Sequence, residues 1–116
     1  RLAIEGWPGP GALACTPADY KALLTEIPSK AIGVNFDPSH LIRMGIDALR
    51  FLHEVADRVA HVHGKDTRID RAALQELGWE QPATFAASPD FGGPFWRYTI
   101  PGHGEFPWTR GLEVLQ

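Results

Sequence analysis

A single cysteine, Cys15, and a single methionine, Met44, carry all the sulfur in this sequence. One cysteine excludes an internal disulfide framework and fits a reducing compartment, so a cytoplasmic protein is expected. Long apolar runs are missing too. None reaches the length that a bilayer demands, and no leader ahead of the first strand-like run is expected. Nor is charge concentrated: the formal net charge is −3, with lysine and arginine scattered along the chain. The basic face of a nucleic-acid binder is not visible. Neither nucleic acid nor a membrane is expected as a partner.

What is present is enough apolar content, 44 % of 116 residues, for one small core. Three short apolar runs read as strands: Arg1 to Glu5, Ala31 to Asp37 and Arg58 to His63. Each stops at a Gly or Pro (Gly6, Pro38, Gly64), and helix-like sequence follows. Thr16-Pro17 opens the first helix as N-cap and first helical residue, with Tyr20, Leu23, Leu24 and Ile27 as its buried stripe and Pro28 as its end. A second helix is expected near Asp47, carrying Ile46, Leu49, Leu52 and Val55. Strand–helix–strand–helix–strand in this order predicts βαβ units and a parallel α/β sheet.

After His63 the pattern loosens. Asp70 to Leu77 reads as a short helix ended by Gly78, and Trp79 to Pro94 as a long loop. Phe95 to Ile100 reads as extended, Pro101 to Glu105 as a turn, and Trp108 to Gln116 as the start of another helix. Arg1 leads straight into a strand and Gln116 falls within helix-like sequence. Both ends therefore look cut, and an interior piece of something longer is expected.

Glu5, Asp37 and His63 end the three strand-like runs. In a parallel sheet all such tips lie on one face, where two carboxylates and an imidazole make a workable site for a hard divalent cation. Glu5 has the alternative of meeting solvent as a charged strand end. Asp37 has that of capping the turn after it. His61 shares a strand face with His63 one layer deeper, and reads as a hydrogen-bonded core histidine. Lys65 and Asp66 would either position a substrate or pair with each other at the rim. Arg97 would meet a phosphate or a sugar hydroxyl, or stay an exposed loop arginine. His103 and Glu105 read as structural. Trp7, Trp79, Trp96 and Trp108 suit sugar stacking, with packing as the default.

Asn35-Phe-Asp-Pro-Ser-His40, His61-Val-His-Gly-Lys-Asp66 and Trp96 to Trp108, in this order and with Glu5 before them, carry a resemblance. Together they resemble the xylose isomerase-like (β/α)8 barrel family of sugar phosphate isomerases and epimerases. The resemblance implies one partial TIM-barrel domain over 1–116, roughly strands 5 to 7 with their helices. A whole barrel needs about 250 residues. It also implies a divalent ion (Mn, Mg, Co or Zn) on Glu5, Asp37 and His63, with a fourth ligand, a Glu, beyond Gln116. Glu5 would double as the acid/base that moves a proton at the carbon beside a metal-polarised carbonyl.

His40 matches a substrate hydroxyl contact of the isomerases and a metal ligand of the related zinc endonucleases. Those endonucleases use an Asp-x-His pair where this chain has Trp96-Arg97-Tyr98, so an apurinic endonuclease is set aside. The expected activity of the parent protein is sugar or sugar phosphate isomerisation or epimerisation, with a polyol dehydratase of the same superfamily as the alternative. The fragment alone is expected to be inactive, and to associate with a second copy or with the missing half of the barrel.

Overall fold

The computed structural model describes residues 1–9, 11–79 and 92–116. Three short strands, β1 (Leu2–Glu5), β2 (Ile32–Phe36) and β3 (Val59–Val62), pair in parallel in the order β1-β2-β3. Between β1 and β2 runs α1 (Pro17–Glu26). Thr16 and Asp19 cap it reciprocally, each side chain meeting the other's backbone N–H. Its buried side chain is Tyr20, whose hydroxyl donates to the Ile4 carbonyl at 3.0 Å. Ile27, expected on the buried stripe, is instead the C-cap and 40 % exposed. The helix stops one residue earlier than the Pro28 signal suggests.

Two helices join β2 to β3. Asp37 caps α2 (Pro38–Arg43), and Asp47 caps α3 (Ala48–Val55) by accepting from the Arg50 N–H. Leu49, Phe51, Leu52 and Val55 of α3 are buried against β2, which is nearly all apolar because both its faces are covered. Phe36 sits at the centre, 5.6 Å from the Phe106 ring and 6.3 Å from Phe51. At the other end of the strands Arg58 is buried, and one of its amino groups faces the carbonyls of Ile27, Ser29 and Ile32 at 3.0–3.3 Å.

Beyond β3 the chain leaves the parallel sheet. Asp66–Ile69 forms β4, which pairs antiparallel with β6 (Trp96–Thr99); the short β5 (Gly92–Gly93) lies on the far side of β6. Between them Asp70 caps α4 (Arg71–Leu77), closed by Gly78 at φ 75°, a backbone region that favours glycine. β4 was not expected, because Asp-Thr-Arg-Ile has no apolar alternation. Its interior is polar: Asp66 is fully buried, accepting from the backbone N–H groups of Thr67 and Phe106 and from the Trp108 indole. The rim pairing of Lys65 with Asp66 therefore does not form. Within the long loop expected at Trp79 to Pro94, residues 92 and 93 belong to β5, and 80–91 lie outside the described residues. The last helix, α5 (Trp108–Val114), packs against α3.

Candidate metal and substrate site

The three strand tips meet. One ligand atom from each of Glu5, Asp37 and His63 lies within 4.8 Å of the others. The register explains it: Glu5 is level with Asn35 across β1 and β2, and Phe36 with Val62 across β2 and β3. The His63 N–H bonds to the Phe36 carbonyl at 2.9 Å, which carries the pairing one residue past the end of β3. Chain geometry alone thus places the acid, the second acid and the imidazole side by side.

Asp37 caps the turn after it and turns its second oxygen toward the cluster. Its Oδ1 accepts from the Ser39 N–H at 2.9 Å and from the Ser39 hydroxyl, and so starts α2. Its Oδ2 is buried and accepts no aligned hydrogen bond. Around that oxygen stand Lys65 Nζ at 3.0 Å and His40 Nε2 and His63 Nδ1, each at 3.4 Å. Burial works against the charge on Asp37, but the Ser39 hydroxyl and the Lys65 ammonium outweigh it and hold the carboxyl below the usual aspartate range.

His63 Nδ1 is also 3.2 Å from Glu5 Oε1. Ligands bonded to one small divalent ion at about 2.0–2.2 Å stand roughly 3.0–3.6 Å from each other. The two spacings from His63 Nδ1, 3.2 Å to Glu5 and 3.4 Å to Asp37, fall in that range, and the three ligand atoms lie within 4.8 Å of one another. The chemistry of two carboxylates and an imidazole suits such a site too. These residues fit a divalent ion.

His40 and Lys65 join the cluster from α2 and the β3–β4 link. His40 is 3 % exposed, with Nε2 3.3 Å from Glu5 Oε1 and 3.3 Å from Lys65 Nζ. Burial, with the charges of Lys65 and Arg43, lowers its pKa against the opposing pull of Asp37 and Glu5. Two further residues belong here that the sequence reading gave no role. Asn35 Nδ2 lies 3.4 Å from Glu5 Oε2 and 3.2 Å from His63 Nε2. The signal for it was a lone amide two residues before Asp37 in an apolar strand. Tyr98 hydroxyl lies 2.8 Å from His40 Nδ1, and burial raises its pKa so that the phenol keeps its proton. Nothing local announces Tyr98, because it arrives from a separate sheet.

Two other expectations, for His61 and Arg97, are corrected. His61 is exposed and not a core histidine, because β3 pairs only with β2 among the described residues and its outer flank is open. It stacks edge-on against His63 at 5.5 Å. Arg97 does not join the cluster: the two-residue period of β6 turns it away from Tyr98. Its guanidinium donates to the Gly93 carbonyl at 2.6 Å and the Trp96 carbonyl at 3.1 Å. Glu105 pairs with Arg71 at 2.6 Å. Trp96 lies edge-on to Tyr98 at 4.9 Å, with the Arg43 guanidinium over its ring.

A family model described as xylose isomerase-like TIM barrel matches residues 1–116. The chain belongs to this family. A solved xylose isomerase domain protein from Planctomyces limnophilus shares the fold, with a TM-score of 0.61 at 19 % identity over 97 % of this chain and 33 % of its own. The inosose dehydratase of Lacticaseibacillus casei is 28 % identical over 87 % of this chain and 32 % of its own length. That of Geobacillus thermodenitrificans (strain NG80-2) is 29 % identical over 86 % and 31 %. The uncharacterized protein YfiH of Bacillus subtilis (strain 168) is 50 % identical over 40 residues, 34 % of this chain and 13 % of its own. The chain thus spans about a third or less of the relatives it matches, and its three parallel strands are part of a xylose isomerase-like barrel. Among the described residues, no helix is long and apolar enough to cross a membrane.

Proposed function

We propose that the protein carrying this chain is a divalent-metal-dependent enzyme that moves a proton at the carbon beside a carbonyl of a sugar, sugar phosphate or cyclic polyol. The observation that carries this is the convergence of Glu5, Asp37 and His63 at the tips of three parallel strands. These three would hold the ion, which supplies Lewis-acid polarisation of the substrate carbonyl.

The chain's own residues do the rest. Glu5 turns Oε1 toward His63 and His40, which leaves Oε2, beside Asn35, to take and return the carbon-bound proton. Lys65, held over the Tyr98 ring 4.3 Å from its centre, would donate to a substrate oxygen once Asp37 no longer needs its charge. His40 Nε2 lies within reach of the same space.

Isomerisation and epimerisation end with the proton returned. Dehydration begins with the same abstraction and ends with loss of a hydroxyl. The inosose dehydratase relatives, 27–29 % identical over most of this chain, favour dehydration as the second reading. Mass spectrometry of products from the full-length protein separates the two: an isomer keeps the mass, and dehydration removes one water. Asp37→Asn in that protein is expected to lower turnover at least about 100-fold and to weaken divalent-ion binding. Unchanged turnover refutes the assignment.

A further inference from the structure

α2 and β6 meet through two matched pairs. His40 and Arg43 are three residues apart on α2 and share a face, as do Trp96 and Tyr98 on β6. His40 lies against Tyr98, with ring centres 5.6 Å apart. Further on, the Arg43 guanidinium covers the Trp96 ring at 4.9 Å and lies 5.8 Å from the Tyr98 centre. α2 begins at Asp37 and leads away from the cluster, so Arg43 stands about 4.5 Å beyond His40 along the helix.

This guanidinium is held in place but not used up. Stacking engages its flat face and leaves the N–H edges available. Among the described residues those edges form one hydrogen bond, from an amino group to the Pro8 carbonyl at 3.2 Å. No carboxylate pairs with Arg43 there, whereas Lys21, Lys30, Arg50, Lys65 and Arg71 each have one. The side chain is half-buried and keeps access to solvent. Pro8 belongs to the loop that leaves Glu5, and Trp96 to the strand that brings Tyr98 to His40. Arg43 therefore lies between two segments that flank the cluster, a step outward from it. A fixed, half-desolvated guanidinium with open donors suits a phosphate or carboxylate, which answers both its charge and its fork of N–H groups.

We propose that Arg43 is a specificity residue that binds the oxyanion of an anionic sugar, a phosphate or a carboxylate at the end remote from the reacting carbons. The placement of those carbons at Glu5, Asp37 and His63 rests on the function proposed above; the oxyanion site does not.

Nitrogen-15 arginine spectra of the full-length protein test the site directly. Glucose 6-phosphate or glucuronate is expected to move the Arg43 Nε resonance saturably, and glucose to leave it in place. The anion that moves it tells phosphate from carboxylate. A resonance that answers to neither anion, or equally to glucose, overturns the proposal.

Arg43→Met keeps an apolar contact with Trp96 but removes the charge. By calorimetry, the affinity for the anion relative to glucose is expected to fall about tenfold. An equal loss for anion and glucose would make Arg43 only a clamp on the loop after Glu5, and would sink the proposal, as would an unchanged ratio. Should that variant fail to fold, Arg43→Lys keeps a charge without the fork, and a ratio equal to wild type then counts against the proposal. If the full-length protein binds no divalent ion and turns over no sugar or polyol, the proposed function falls, while the Arg43 spectrum still decides the oxyanion site.

Discussion

Asp37 divides its two oxygens between structure and site: one begins α2 and the other faces the cluster. His40 beside it is buried and resists protonation. The sign of the pH dependence follows. A histidine whose pKa is lowered in the folded state takes its proton more readily when unfolded, so the fold loses stability as pH falls below the usual histidine value of 6.5. Asp37, also lowered, adds a further loss only in strong acid, below the ordinary aspartate value of 3.8. Urea unfolding should show a lower midpoint at pH 5.5 than at 7.5, with the unfolding free energy falling by up to about 1.4 kcal/mol per pH unit from His40. His40→Gln should shrink that loss. A midpoint equal at both values would contradict the burial of a neutral His40.

Among the elements, β4 depends most on a single side chain. Asp66 ties it to the segment entering α5 through the Phe106 N–H and the Trp108 indole. Gly104 lies so close that a Cβ there would overlap the Asp66 carboxylate. Asp66→Ala leaves these donors without their acceptor and is expected to cost about 3 kcal/mol, read as a fall in unfolding free energy. A cost near zero would mean that β4 is held by its backbone ladder alone.

The contrast with β1, β2 and β3 shows what the sequence makes legible. Those strands are apolar runs cut by Gly6, Pro38 and Gly64, and their order alone implies a parallel sheet with shared tips. From that, Glu5, Asp37 and His63 could be named before any coordinates; His40 needs the family resemblance, and Lys65 stays open between a substrate contact and a rim pair. β4 reads as a polar linker because its buried face is satisfied by an internal carboxylate, a long-range arrangement with no local pattern. Tyr98 was hidden for the same reason: its partner lies 58 residues away on another sheet. Arg97 misled because two positions, one residue apart on a strand, look alike in sequence and face opposite ways.

At the level of the whole molecule, the outer edges of β1 and β3 have no strand neighbour among the described residues, and Leu2 on β1 is 62 % exposed. A xylose isomerase-like barrel closes such edges with further strands, and this chain spans about a third of its dehydratase relatives. Produced alone, the 116 residues are expected to self-associate through these edges. Light scattering should then give an apparent mass that rises with concentration. A constant monomer mass would show that the edges protect themselves.

Arg58 gives this arrangement a division of labour. By gathering three carbonyls at the end of the strands away from the cluster, it ties the α1–β2 connection and the first residue of β2 to the start of β3. The opposite rim is then free to carry mutually repelling acids, or to exchange them, without the strands sliding out of step. A scaffold fastened at one end can change its reaction at the other.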